Sequence, residues 1–103
     1  MKGEPEMTRK KSGNFTNDGI ESLAKDKPVV YKIEDGKGNN LYTGVAKKGR
    51  VEARLKEHLP GGVDPVHGGK KVTTTQHNSI GEALKSEARI IKRAQPPQNK
   101  KGK

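Results

Sequence analysis

The sequence predicts an α/β (α+β) domain: a small three-stranded, mostly antiparallel sheet flanked by helices. Three observations lead there. Val29 to Glu34 alternates apolar and polar residues, and a cluster of turn formers separates it from a second strand-like run. Val72-Thr73-Thr74-Thr75-Gln76 is β-branched and suits a third strand. Ser79-Ile80-Gly81-Glu82 is a capping box that opens a helix running to about Arg93 or Ala94, where Pro96-Pro97 forbids continuation.

Apart from Met1, Met7 and Phe15, every apolar residue lies between Asn17 and Ala94. Residues 1–16 are therefore expected to be a flexible basic arm, 17–94 the folded unit, and 95–103 a basic tail. The chain has 103 residues, enough for one domain. A short helix is expected from about Asn17, with Ile20, Leu23 and Ala24 on one face, ending before Pro28. In the hairpin that follows, Val29, Tyr31 and Ile33 share a side, residues 35–40 form the turn, and Leu41 to Ala46 return. A second helix is expected from about Arg50 to Leu59, stopped by Pro60-Gly61-Gly62, and residues 60–71 form a Gly-rich loop.

Charge narrows the function. Twenty-two Lys and Arg against twelve Asp and Glu give a formal charge of +10. On so small a body this is a field suited to a polyanion, nucleic acid first. The plainer reading is a charge that only keeps a weakly hydrophobic chain soluble. No stretch is apolar enough to insert into a membrane. Cysteine is absent, which excludes disulfides and thiolate metal sites. The segment MKGEPEMTRKK has no apolar signal region, so a cytoplasmic location is expected.

Several residues break the structural pattern. At about 100° per residue, Ile80, Ala83, Leu84, Ala88, Ile90, Ile91 and Ala94 make one arc of the last helix. Glu87 lies within about 20° of Ile80, in the middle of that arc. A carboxylate there is costly unless paired, hydrogen-bonded or bound to a metal. It is either a buried Glu held by an Arg or a carboxylate at the rim of a cleft. Arg54 and His58, four apart, flank the stripe of Val51, Leu55 and Leu59 at a boundary between core and solvent. His58 could be a satisfied boundary histidine, and Arg54 could be the partner of Glu87. If register permits, Tyr31 and Tyr42 face each other on adjacent strands. Gly44, two residues after Tyr42, leaves space beside it. His67 and His77 give no metal spacing, and no P-loop, HExxH or nucleophile elbow is present.

Together these residues resemble the GIY-YIG nuclease superfamily, in its small stand-alone, single-domain form. The naming tripeptides are read in Val29-Val30-Tyr31 and Tyr42-Thr43-Gly44, with ten residues between the tyrosines. Arg54-Leu55-Lys56-Glu57-His58 fits the family's Arg and His on a helix, Glu87 its metal-binding Glu, and Asn99 its Asn after a Pro-rich segment. Val replaces the Gly and Ile of the first tripeptide and Thr the Ile of the second, positions that support the hairpin rather than the chemistry.

The resemblance covers about residues 28–99 and implies hydrolysis of a nucleic-acid phosphodiester by water. Glu87 would hold one Mg²⁺ or Mn²⁺, a normal arrangement for a cation that keeps most of its waters. Arg54 would neutralise the scissile phosphate, and Tyr31 is the first choice of general base, supported by Tyr42 and His58. Substrate contacts would come from Gly44, Lys47, Lys48, Arg50, Arg89, Arg93 and Asn99. DNA is favoured, branched or nicked DNA included, and RNA is not excluded. Phosphate contacts carry no sequence information, so weak sequence specificity is expected, with a protein partner as one possible guide. The rivals are a non-catalytic basic nucleic-acid-binding protein, such as a degenerate relative or a ribosome-associated protein, and a purely structural ion pair of Glu87 with Arg54.

Overall fold

A computed structural model of the chain describes residues 10–23, 27–96 and 98. The elements in order are β1 (Lys10–Asn14), α1 (Asn17–Glu21), β2 (Val29–Glu34), β3 (Asn40–Ala46), α2 (Val51–Glu57), β4 (Lys71–Gln76) and α3 (Ile80–Ala94). They form one antiparallel sheet in the order β1-β4-β2-β3.

The α/β architecture matches the sequence reading, but the sheet has four strands rather than three. The fourth comes from the segment expected to be a flexible arm. Lys10 to Asn14 pairs with Thr75 to Lys71 along the β4 edge. The strand has no apolar alternation of its own, so its backbone hydrogen bonds to β4 hold it in place. Phe15 then drops into the core at 7% exposure. Gly69 makes room for it: a Cβ there would stand 2.6 Å from the Phe15 ring and 2.7 Å from Ile33. Thr16 caps α1 by accepting the Gly19 N–H at 3.1 Å.

Strand alternation divides the sheet into two faces. Val29, Tyr31, Ile33, Ala46 and Val72 share one face by register, and it packs against Ile20, Leu23, Val51 and Leu55 of the α1 and α2 region. Phe15 and Val66 complete this core. Each fully buried Val, Leu, Ile or Phe side chain of this core contributes about 1.5–3 kcal/mol on burial.

Ser79 accepts the Glu82 N–H at 3.2 Å and opens α3 as the capping box requires. The helix packs on β2 and β3. Only part of its apolar arc is covered: Ala83 is buried and Ile80, Ile90 and Ile91 are partly buried, whereas Ala88 and Ala94 are exposed and Leu84 is 50% exposed. The expected face is thus narrower than its sequence pattern, and Glu87 lies near the middle of the covered part. Among the described residues no helix is long and apolar enough to cross a membrane.

Candidate active site

Tyr31 stands in the centre of β2, the strand bonded on both sides, and is fully buried. Tyr42 lies on β3, at the sheet edge, and is half-buried. The register pairs Tyr31 with Gly44 and Ile33 with Tyr42. The two tyrosines are therefore diagonal neighbours on one face, not the directly facing pair that a simple hairpin suggests. Their rings still stack, with centroids 6.2 Å apart and planes 18° from parallel.

Gly44 makes this possible. A Cβ there would meet the Tyr31 hydroxyl oxygen at 2.5 Å and its Cζ at 2.6 Å. The space beside Tyr42 is thus filled by the phenol of Tyr31, which lies across the bare backbone of β3.

His58 is the C-cap of α2, and its side chain is fully buried. Its Nδ1 lies 2.8 Å from the carbonyl oxygen of Asp64, and its Nε2 lies 2.8 Å from the Tyr31 hydroxyl. A carbonyl only accepts, so Nδ1 carries the hydrogen, and a neutral ring leaves Nε2 as an acceptor. Tyr31 O–H therefore donates to His58. Burial lowers the His58 pKa and keeps the ring neutral, against the opposite pull of Asp64. Its ring also packs 4.6 Å from that of Tyr42.

Burial, reinforced by Tyr42, drives the Tyr31 pKa up, although Arg54 opposes it through its charge and a hydrogen bond. The pull of Arg54 is the smaller effect, because the desolvation of a fully buried phenolate outweighs it. Tyr42 is shifted upward for the same first reason, and Asp64 adds to it.

Arg54 sits one turn before His58. Its Nη1 donates to Glu57 Oε1 at 2.6 Å. Its ion-pair partner is this neighbour on its own helix, not Glu87. Arg54, Arg50 and Lys47 line a cleft of about 380 Å³ with Val45 and Ala46, so three of the expected phosphate contacts share one opening.

Glu87 is half-buried, and among the described residues it has neither an ion-pair partner nor a hydrogen bond. Burial alone raises its pKa. Its charge bears on both phenols, as does that of Arg54. The buried Glu–Arg pair considered from the helical wheel is absent. Among the described residues, no three His, Asp or Glu side chains gather as a metal cage. A cation at Glu87 would thus keep most of its ligands as water or substrate oxygen.

No family model matches the chain. The UvrABC system protein C of Novosphingobium aromaticivorans is 40% identical over 79 residues, 73% of this chain. That of Sphingopyxis alaskensis is 40% identical over 80 residues, 71% of this chain. The crystal structure of the GIY-YIG N-terminal endonuclease domain of UvrC from Thermotoga maritima, bound to its catalytic divalent cation magnesium, aligns at a TM-score of 0.62. It is 30% identical, and the match covers 75% of this chain and 88% of that one. The chain belongs to the GIY-YIG endonuclease family. This GIY-YIG domain spans 12% of the length of the curated relatives it matches.

The remaining expected contacts of the GIY-YIG domain are scattered. Lys48 is exposed in the turn before α2. Arg89 and Arg93 are exposed on α3, about 160° and 120° around the helix from Glu87, and neither lines the cleft. Asn99 lies outside the described residues. Two contributors went unnoticed in the sequence. Glu57 is detectable as an i+3 partner of Arg54. The Asp64 contact is made by a backbone carbonyl, which leaves no residue-type signal.

Proposed function

We propose that this domain is a divalent-metal-dependent endonuclease that hydrolyses phosphodiester bonds of DNA with little sequence preference. The observation that carries the reading is Glu87, a half-buried carboxylate with no counter-charge among the described residues, whose field reaches the same two phenols as Arg54. A desolvated, unpaired carboxylate fits a hard cation such as Mg²⁺ or Mn²⁺. When bound there, one such ion supplies Lewis-acid stabilisation of charge at the leaving oxygen. The magnesium bound by the Thermotoga maritima domain supports this assignment.

The protein's own groups account for the rest. Arg54, held by Glu57 at the cleft, neutralises the scissile phosphate. Lys47, Lys48 and Arg50 grip the flanking backbone, and Gly44 keeps β3 clear for the Tyr31 phenol. Arg89 and Arg93 belong to a more distant contact with longer DNA.

Tyr31 is fully buried, so Tyr42 is the phenol that solvent reaches. With raised pKa values, neither phenol persists as a phenolate, and each accepts a proton only by passing on its own. The attacking water gives a proton to Tyr42, the Tyr42 proton moves to Tyr31, and the Tyr31 proton moves to Nε2 of His58. The hydroxide oxygen bonds to phosphorus, and the bond from phosphorus to the leaving oxygen breaks. The leaving oxygen takes a proton from solvent, and His58 releases its own after the products depart. Tyr31 thus links the water end of the relay to His58 and is no longer the first contact of the water.

The names of the curated relatives place them in the UvrABC system. This supports DNA as the substrate and a partner protein as the source of selectivity. The test is a panel of supercoiled, nicked, branched and single-stranded DNA, with RNA alongside, incubated with purified protein with and without Mg²⁺. Metal-dependent nicking of DNA is expected. Salt-sensitive binding with no cleavage on any substrate supports the non-catalytic reading instead.

A further inference from the structure

The mechanism loads a proton onto His58, whose side chain is fully buried. An imidazolium in such a place is costly unless a negative group faces it. Among the described residues, the groups that face His58 come from four elements: Tyr31 on β2, Tyr42 on β3, Arg54 and Glu57 on α2, and Asp64 in the loop after it. Arg54 opposes the cation, and its charge is partly neutralised by Glu57 at 2.6 Å. The two phenols are neutral. Asp64 is the residue that touches the ring on its free side and carries a negative charge.

It does so twice. Its carbonyl accepts the Nδ1 hydrogen at 2.8 Å, and its carboxylate Oδ2 lies 3.9 Å from the same nitrogen. The carboxylate is 48% exposed, so it can rotate without leaving a buried site. The backbone holds the loop in place at both ends of this contact. Asp64 N–H donates to Glu57 O at 2.9 Å, and Val66 N–H donates to His58 O at 2.9 Å. Gly62 permits the loop to close back on α2, since a Cβ there would collide with the Glu57 carbonyl.

We propose that Asp64 is a positioning residue of the reaction, the third member of a Tyr31–His58–Asp64 series. Its carbonyl fixes the tautomer that leaves Nε2 free for the Tyr31 proton, and its carboxylate stabilises the imidazolium. Asp64 touches neither substrate nor metal, and no proton passes to it. The assignment rests on the nuclease reading above.

Asp64→Asn tests it, because the substitution keeps the backbone carbonyl and removes only the charge. Two readouts are taken on the full chain. The first is the titration of His58 followed by NMR, which needs no activity. Asp64 raises the His58 pKa, so the variant should titrate at lower pH. The second is the pH profile of single-turnover DNA cleavage with Mg²⁺. The limb at which His58 must be neutral should move to lower pH, and the plateau rate should fall about tenfold, as expected for a weaker base. Asp64→Glu should recover part of that rate, whereas a merely structural loop residue would change stability and leave the limb in place. An unmoved His58 titration and a wild-type rate in Asp64→Asn overturn the role of Asp64 alone. Absence of cleavage by the wild-type chain overturns the nuclease reading and this role with it, while the NMR arm still reads the His58–Asp64 contact.

Discussion

The Tyr31 hydroxyl donates to His58 Nε2 across 2.8 Å, and the ring is held in the accepting tautomer by the carbonyl of Asp64 on its other nitrogen. Both side chains are fully buried. Folding therefore selects the neutral imidazole. The His58 pKa in the folded chain lies below the ordinary value of 6.5, so the unfolded chain binds the proton first as pH falls. Stability contributed by neutral His58 is complete above about pH 6.5 and decreases as pH drops from there toward the folded value. Thermal unfolding between pH 5 and 7.5 checks this, and His58→Gln should flatten the dependence in that window.

Gly44 gives a sharper steric test. Gly44→Ala places a methyl group 2.5 Å from the Tyr31 hydroxyl oxygen, so the ring or the strand must shift. Overpacking of this kind costs about 1–3 kcal/mol, and a domain of this size loses roughly 4–8 °C of melting temperature per kcal/mol. Because the displaced group is the phenol bonded to His58, cleavage should fall more than stability does. Calorimetry and single-turnover rates on the same preparation separate the two.

The cleft makes a prediction about salt. Lys47 and Arg50 line it with Arg54, whereas Arg89 and Arg93 stand on the far side of α3 from Glu87. On a short duplex, Lys47→Ala and Arg50→Ala should each reduce the slope of log affinity against log salt by about one. Arg89→Ala and Arg93→Ala should leave that slope nearly unchanged until the duplex is lengthened. Fluorescence anisotropy across a salt series is the measurement.

The fourth strand is tested through Phe15. Its ring is buried against Gly69 and Ile33 although its neighbours in sequence are polar. Phe15→Ala should cost about 3–5 kcal/mol, a large share of the roughly 5–15 kcal/mol that holds a domain of this kind together. Denaturant unfolding decides it. A loss under about 1 kcal/mol would return residues 10–16 to the status of a dispensable arm.

Much of this arrangement was legible in the residues, and the gaps have physical causes. The hairpin followed from the alternation of Val29, Tyr31 and Ile33, and α3 from Ser79 and Glu82, because periodicity and capping are local signals. The β1 strand was invisible because Lys10 to Asn14 has no apolar pattern and forms through long-range pairing to β4. The diagonal placement of Tyr31 and Tyr42 depends on a register shift between Ile33 and Glu34, which the length of a turn does not reveal. Glu87 was an anomaly on a helical wheel, but only the fold shows that Arg54 turns to Glu57 instead. The wheel also overstated the covered face of α3, since it cannot show that the sheet leaves Leu84 and Ala88 exposed.

Glu87 remains the centre of the account. Burial raises its pKa and no cation among the described residues offsets the cost, so its charge weakens the metal-free fold as pH rises through that pKa. The decisive measurement is single-turnover cleavage of supercoiled DNA against Mg²⁺ concentration for wild type and Glu87→Gln, with melting temperatures of both proteins taken without metal. Wild type should show a saturable Mg²⁺ dependence, and Glu87→Gln should lose about 10²-fold or more. The metal-free variant should melt at or above the wild-type temperature at neutral pH. Cleavage by folded Glu87→Gln at the wild-type rate, with the same Mg²⁺ dependence, would contradict it.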